Sequence, residues 1–227
     1  AVEGGARLEL DDDALLEIEE LVDRLDRLPL AIELAASAVA FSSPHQLRRD
    51  LDRGAVMRAA RPSRRRWSTV DEMVEWAYDL LDPVSQSLLR VMSPCRGPTP
   101  FEAIAEMWPT EASADDVQPL VAELVRLNLV KVEPGAHGVK YSLLETVRHF
   151  AQRRASEAQE FDDASRRHRN WFLQWSEAPP VVERSATLTR ALAQEEQIGN
   201  LRAALNFSAA SGELRSISAG QPWIEAA

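Results

Sequence analysis

The sequence predicts a mainly α chain, arranged as three successive helical units with one small β-hairpin in the middle unit. Ala, Leu, Glu and Arg dominate the 227 residues while aromatics reach only 6%, a palette that favours helices over strands. Apolar residues recur at three- and four-residue spacing through most of the chain. One pair of β-rich runs, 129–133 and 138–143, flanks Pro134-Gly135-Ala136-His137 and reads as a hairpin.

The first unit, 1–60, is a helical subdomain. Leu15, Ile18, Leu21, Val22 and Leu25 fall on one helix face, and Asp11 to Asp13 sit where a helix start welcomes negative charge. Pro29 is tolerated in a first helical turn, so a new helix begins at Leu28. Ser43-Pro44 opens a short helix through Gln46, Leu47 and Leu51. Between 48 and 66, eight arginines face only Asp50 and Asp52, a surplus of six positive charges. Within it, 61–67 reads as a basic linker, solvated or docked on an acidic surface of the same protein.

The second unit, 68–158, opens with Ser68 or Thr69 as the cap of a helix carrying Val70, Met73, Val74, Ala77 and Leu81. Asp82-Pro83 starts the next helix, 94–100 is a loop, and Thr99 is expected to cap a short helix from Phe101 to Trp108. A helix from Ala114 to Leu127 precedes the hairpin, and a long one from Leu144 to about Ala158 follows it. Three helices, a two-stranded wing and a closing helix describe a winged-helix domain. The third unit, 159–227, holds Trp171, Phe172 and Trp175 at near-helical spacing, expected to be core packing, then Pro179-Pro180 and a helix around Leu188 to Ser208. These helices read as the start of tetratricopeptide-like repeats.

The net charge of −10 and pI near 5.0 argue against nucleic acid, since phosphate neutralisation supplies most of a nucleic-acid binder's affinity. Cys95 is the one cysteine, which fits a reducing cytoplasm. The most apolar stretch, Leu28 to Phe41, is too short to span a membrane. Both ends of the chain read as cut. His45, His137, His149 and His168 are scattered without metal-ligand spacing. No Gly-x-x-x-x-Gly-Lys-[Ser/Thr] loop occurs, so this chain alone is not expected to hydrolyse ATP.

Four segments carry a resemblance. Leu28-Pro29-Leu30-Ala31-Ile32-Glu33-Leu34-Ala35-Ala36 resembles the Gly-Leu-Pro-Leu-Ala-Ile-Glu-Leu-Ala-Ala signature of STAND-type, NB-ARC-like regulatory ATPases, in the branch found in large bacterial transcriptional regulators. Trp76-Ala77-Tyr78-Asp79-Leu80-Leu81 resembles the segment that opens their winged helix. Tyr141-Ser142-Leu143-Leu144-Glu145-Thr146-Val147-Arg148 is similar to the segment that closes it, and Asn200-Leu201-Arg202-Ala203-Ala204-Leu205 to an element early in their helical repeats. The region would follow the nucleotide-binding core.

The resemblance implies that Pro29, with Leu28, lies on the adenine side of a site whose ATP or ADP, with Mg, is held by the full-length protein. The nearest partner would be the intramolecular nucleotide-binding core. Arg27 stands where the family has glycine. Leu144 stands where related switch proteins place a phosphate-sensing histidine, so that role does not carry over. Arg148 reads as an i, i+3 partner of Glu145.

Three functions follow as alternatives. The first is a cytoplasmic regulatory relay, coupling the ATP/ADP state of an upstream core to conformational change, with self-association on activation. The second is DNA reading by the helix before the wing, disfavoured because Asp115, Asp116 and Glu123 outweigh Arg126 there. The third is a free-standing adaptor that captures a protein on the apolar face of 188–208.

Overall fold

The computed structural model describes residues 12–25, 27–39, 43–59, 69–109, 114–135, 138–177 and 195–212. The basic linker 61–67, His137, Pro179-Pro180 and the first residues of the helix expected from Leu188 lie outside them. The protein is mainly α. Helices α1 (Asp12–Arg24), α2 (Pro29–Ala38), α3 (Pro44–Ala59) and α4 (Thr69–Asp79) come first, followed by α5 (Pro83–Val91). Strand β1 (Thr99–Pro100) then leads into α6 (Phe101–Met107) and α7 (Ala114–Arg126). Strands β2 (Lys131–Gly135) and β3 (Gly138–Ser142) precede α8 (Glu145–Glu157), α9 (Phe161–Glu177) and α10 (Ile198–Ala210).

Local chemistry sets three of the helix starts among the described residues. Pro29 and Pro83 occupy the first helical position, where no N–H is needed. Asp82 caps α5, its Oδ1 accepting from the N–H groups of Val84 at 2.8 Å and Ser85 at 3.0 Å. Ser43 Oγ accepts from Gln46 N at 3.1 Å ahead of α3. That helix continues to Ala59, past the short one expected, because no Pro or capping signal interrupts it before Pro62. Gln159, at φ +60°, turns the chain between α8 and α9, with Glu160 N donating to Ala155 O at 2.8 Å.

Three further expectations are corrected. Thr99 does not cap α6. Pro100 stands at that position, and Thr99-Pro100 pairs with Tyr141 and Lys140 as a third, antiparallel strand, giving the sheet order β1-β3-β2. Strand β2 begins at Lys131 instead of Leu129, and its pairing runs to Gly135↔Gly138. Leu129 and Val130 are instead buried in the turn that leaves α7, their N–H groups both directed at Leu124 O. The order α5-β1-α6-α7-β2-β3 is winged-helix connectivity, with α8 closing it.

Helices α1 to α8 share one hydrophobic core, α6 through Ile104 and Met107. Leu21, Leu34 and Leu47 from the first three helices, with Leu25 just after α1, join Met73, Leu88, Leu124 and Phe150, all essentially solvent-free. Each such side chain contributes about 1.5–3 kcal/mol relative to exposure. Phe150 meets Tyr78 edge-on at 5.3 Å, and Arg154 lies over both rings while its guanidinium reaches Glu75 at 2.6 Å. A second, smaller cluster joins α6, α9 and α10 through Ala103, Phe172, Leu201 and Ala204, with Trp171 and Trp175 stacked beside it. The aromatic run of α9 is therefore core packing, as its spacing predicts.

Candidate functional site

The residues expected to face adenine lie together at the entry to α2. Leu28 is extended and 36% exposed, Pro29 is exposed, and no side chain caps the helix start. The first turn carries no acid. This leaves an apolar edge beside uncapped N–H groups at the entry to α2. Behind them, Ala31, Leu34, Ala35 and Ala38 are buried against the core. Arg27 precedes them at φ +54°, a left-handed conformation that explains glycine at this place in the resembling signature. Its guanidinium is held by Asp23 at 2.8 Å.

The segment Leu143-Leu144-Glu145 starts α8. Leu144 stands at the cap position and packs, with Leu143, on the main core. Arg148 is buried and gives its guanidinium to Glu145, Nε to Oε2 at 2.8 Å, and to Gln152 Oε1 at 3.2 Å. Glu145 is shared further with His149 at 3.0 Å and Arg96 at 3.8 Å. Its hydrogen bonds from Arg148, and then the charges of Arg148, His149 and Arg96, outweigh partial burial and lower its pKa to about 2. Arg148 is thus the i, i+3 partner of Glu145 expected from sequence.

On α7, Arg126 is tied to Glu123 at 3.0 Å, while Asp115 and Asp116 are exposed. Pro119 stands inside that helix, on its exposed face. The wing presents Lys131, Val132 and Val139 to solvent. No helix among the described residues is long and apolar enough to cross a membrane, and none of their His, Cys, Asp and Glu side chains gather in threes as metal ligands would. Cys95 is buried, which pushes its thiol up to about 12 and leaves it unreactive.

A third constellation escapes sequence reasoning. The start of α10 docks on the winged helix: Asn200 Oδ1 accepts Arg96 N at 2.6 Å, Gln197 Nε2 donates to Pro98 O at 2.8 Å, and Lys140 pairs with Glu196. Gly199 permits this approach, because a Cβ there would collide with the Arg96 carbonyl. Buried His168 of α9 sets Nε2 3.3 Å from Asn200 Oδ1. Burial, with Arg96 nearby, lowers its pKa to about 4, so it is neutral at pH 7. Between α8, the loop after α5, α9 and α10 lies a cavity of about 550 Å³. The signal available in sequence was the Asn200-Leu201-Arg202 element, which supplies one buried anchor and one lining residue.

The middle of the chain has the element order of a winged helix, with helices before and after it. It is similar to a Mycobacterium tuberculosis protein named "Putative HTH-type transcriptional regulator", 30% identical over 215 residues, covering 87% of this chain and 23% of that protein. The Mycobacterium bovis protein of the same printed description matches to the same extent. A second M. tuberculosis protein, named "Uncharacterized protein", is 31% identical over 173 residues, covering 73% of this chain and 43% of that protein. The chain therefore spans less than a quarter of the first relatives' length and less than half of the other's. No protein-family model matches it.

Proposed function

We propose that this region is the regulatory relay of a nucleotide-switched transcriptional regulator. An upstream core holding ATP or ADP meets Leu28 and Pro29, and the change in that contact passes through α2 to the winged helix and onward through α8 and α9. The carrying observation is α2 itself. Its first residues are exposed, while the face behind them belongs to the same core as α4 and α8, and packed interiors transmit displacement instead of absorbing it. The relatives named as transcriptional regulators support the regulatory part. The phosphate loop that such a switch needs would lie in another segment, since none of these 227 residues supplies it.

DNA reading by this winged helix is the weaker assignment. The exposed face of α7 offers Asp115 and Asp116, and Arg126 is already committed to Glu123, a poor neighbour for phosphate. The direct test of the relay is Pro29→Ala in the full-length protein. Affinity for ATP and ADP should fall about tenfold, the loss of one apolar base contact of roughly 1.4 kcal/mol. The thermal midpoint should stay unchanged because Pro29 is exposed. Equal nucleotide affinity in mutant and parent would sink the assignment.

A further inference from the structure

We propose that the cavity between the winged helix and the α9–α10 pair is a binding site for a small organic anion, a phosphate or carboxylate head on a compact apolar body. The chain carries ten net negative charges, yet three of the residues lining this cavity are arginines and none is acidic. Arg96 comes from the loop after α5, Arg148 from α8 and Arg202 from α10. Arg148 and Arg96 share one carboxylate, Glu145, which is 64% exposed, so their positive charge is not fully offset by that acid.

Arg202 forms no hydrogen bond or ion pair among the described residues and is exposed at the cavity's edge. Guanidinium groups are donors an anionic oxygen would accept from here, because arginine matches both carboxylate and phosphate geometry.

Phe161 and Phe207 make part of the lining apolar, which gives an organic body a place that a bare inorganic ion would leave unused. Asn206 and Gln152 add amides at the rim. The volume falls within the roughly 300–1,000 Å³ typical of small-molecule sites. Because the lining is divided between the winged helix and the two helices beyond it, an occupant would bridge them and favour their docked arrangement. This site does not depend on the nucleotide contact at Pro29.

The test is calorimetric titration of the 227-residue chain with phenyl phosphate, benzoate and inorganic phosphate. One of the two organic anions should saturate a single site at millimolar concentration, and which one binds tighter identifies the head group. Arg202→Gln should weaken that binding about tenfold, as expected for one charge-assisted hydrogen bond. It should leave the melting of the free protein unchanged, since Arg202 is exposed and unpaired. The site is overturned if neither organic anion saturates, if Arg202→Gln binds as tightly as the parent, or if inorganic phosphate binds as tightly as the better of the two organic anions.

Discussion

Arg27 and His168 show how far single residues depart from what their types suggest. Arg27 holds a left-handed backbone at φ +54°, a conformation that costs an L-residue roughly 1–2 kcal/mol and sits one residue before the exposed edge of α2. His168 is 1% exposed and directed at Asn200, so burial keeps it neutral and lowers its pKa from 6.5 to about 4. Above pH 6.5 both folded and unfolded forms are neutral, and its contribution to stability is fully present. As pH falls from 6.5 towards 4, only the unfolded chain takes up the proton. Stability should then drop by about 3 kcal/mol. Urea unfolding of the chain across that window should show the slope, and His168→Gln should remove it. Glu145 works in a separate, more acidic window, because its pKa is lowered from 4.5 to about 2 and its support fades only below pH 4.5.

At the scale of elements, what was legible was what is local. The starts of α2, α3 and α5 follow from proline beside its preceding residue, and α8 from the apolar pattern after the hairpin. Asp82 is the clearest case: the Ser85 N–H, ahead of that residue's hydroxyl and the Val84 N–H, lowers its pKa. Asp82→Ala should destabilise the protein by about 1 kcal/mol in chemical denaturation, and Asp82→Asn should recover most of it. What was not legible has no local signature. Strand β1 is two residues long and includes Pro100, so no alternation announces it, and only its pairing with β3 defines it. Pro119 sits in α7 against local preference, on an exposed face where the helix can accommodate it. The arginine-lined cavity draws Arg96, Arg148 and Arg202 from widely separated parts of the chain, and no spacing rule joins them before the helices pack. Leu28 and Pro29, by contrast, were found through resemblance, and the structure adds their exposure.

For the molecule as a whole, the continuous core from α1 to α8 is what the proposed relay would act through. A displacement at the exposed start of α2 meets Met73, Val74 and Ala77 of α4 and then Val147, Phe150 and Ala151 of α8, all buried in that core. From α8 the path continues to α9, where Arg90 of α5 also anchors Glu160, Nε to Oε2 at 2.7 Å. The α9–α10 pair meets the winged helix through polar contacts at Arg96, Pro98 and Lys140 and through the small apolar cluster around Phe172 and Ala103. In the proposed relay, this smaller apolar junction is where a regulated movement would cost least. The most direct measurement is amide hydrogen exchange of the full-length protein, loaded either with ADP or with a non-hydrolysable ATP analogue. The relay predicts that protection changes in α2 and α4 and again at the α8–α9 and Asn200 junctions. Identical protection from α2 through α9 in the two nucleotide states, while the upstream core responds, would contradict it.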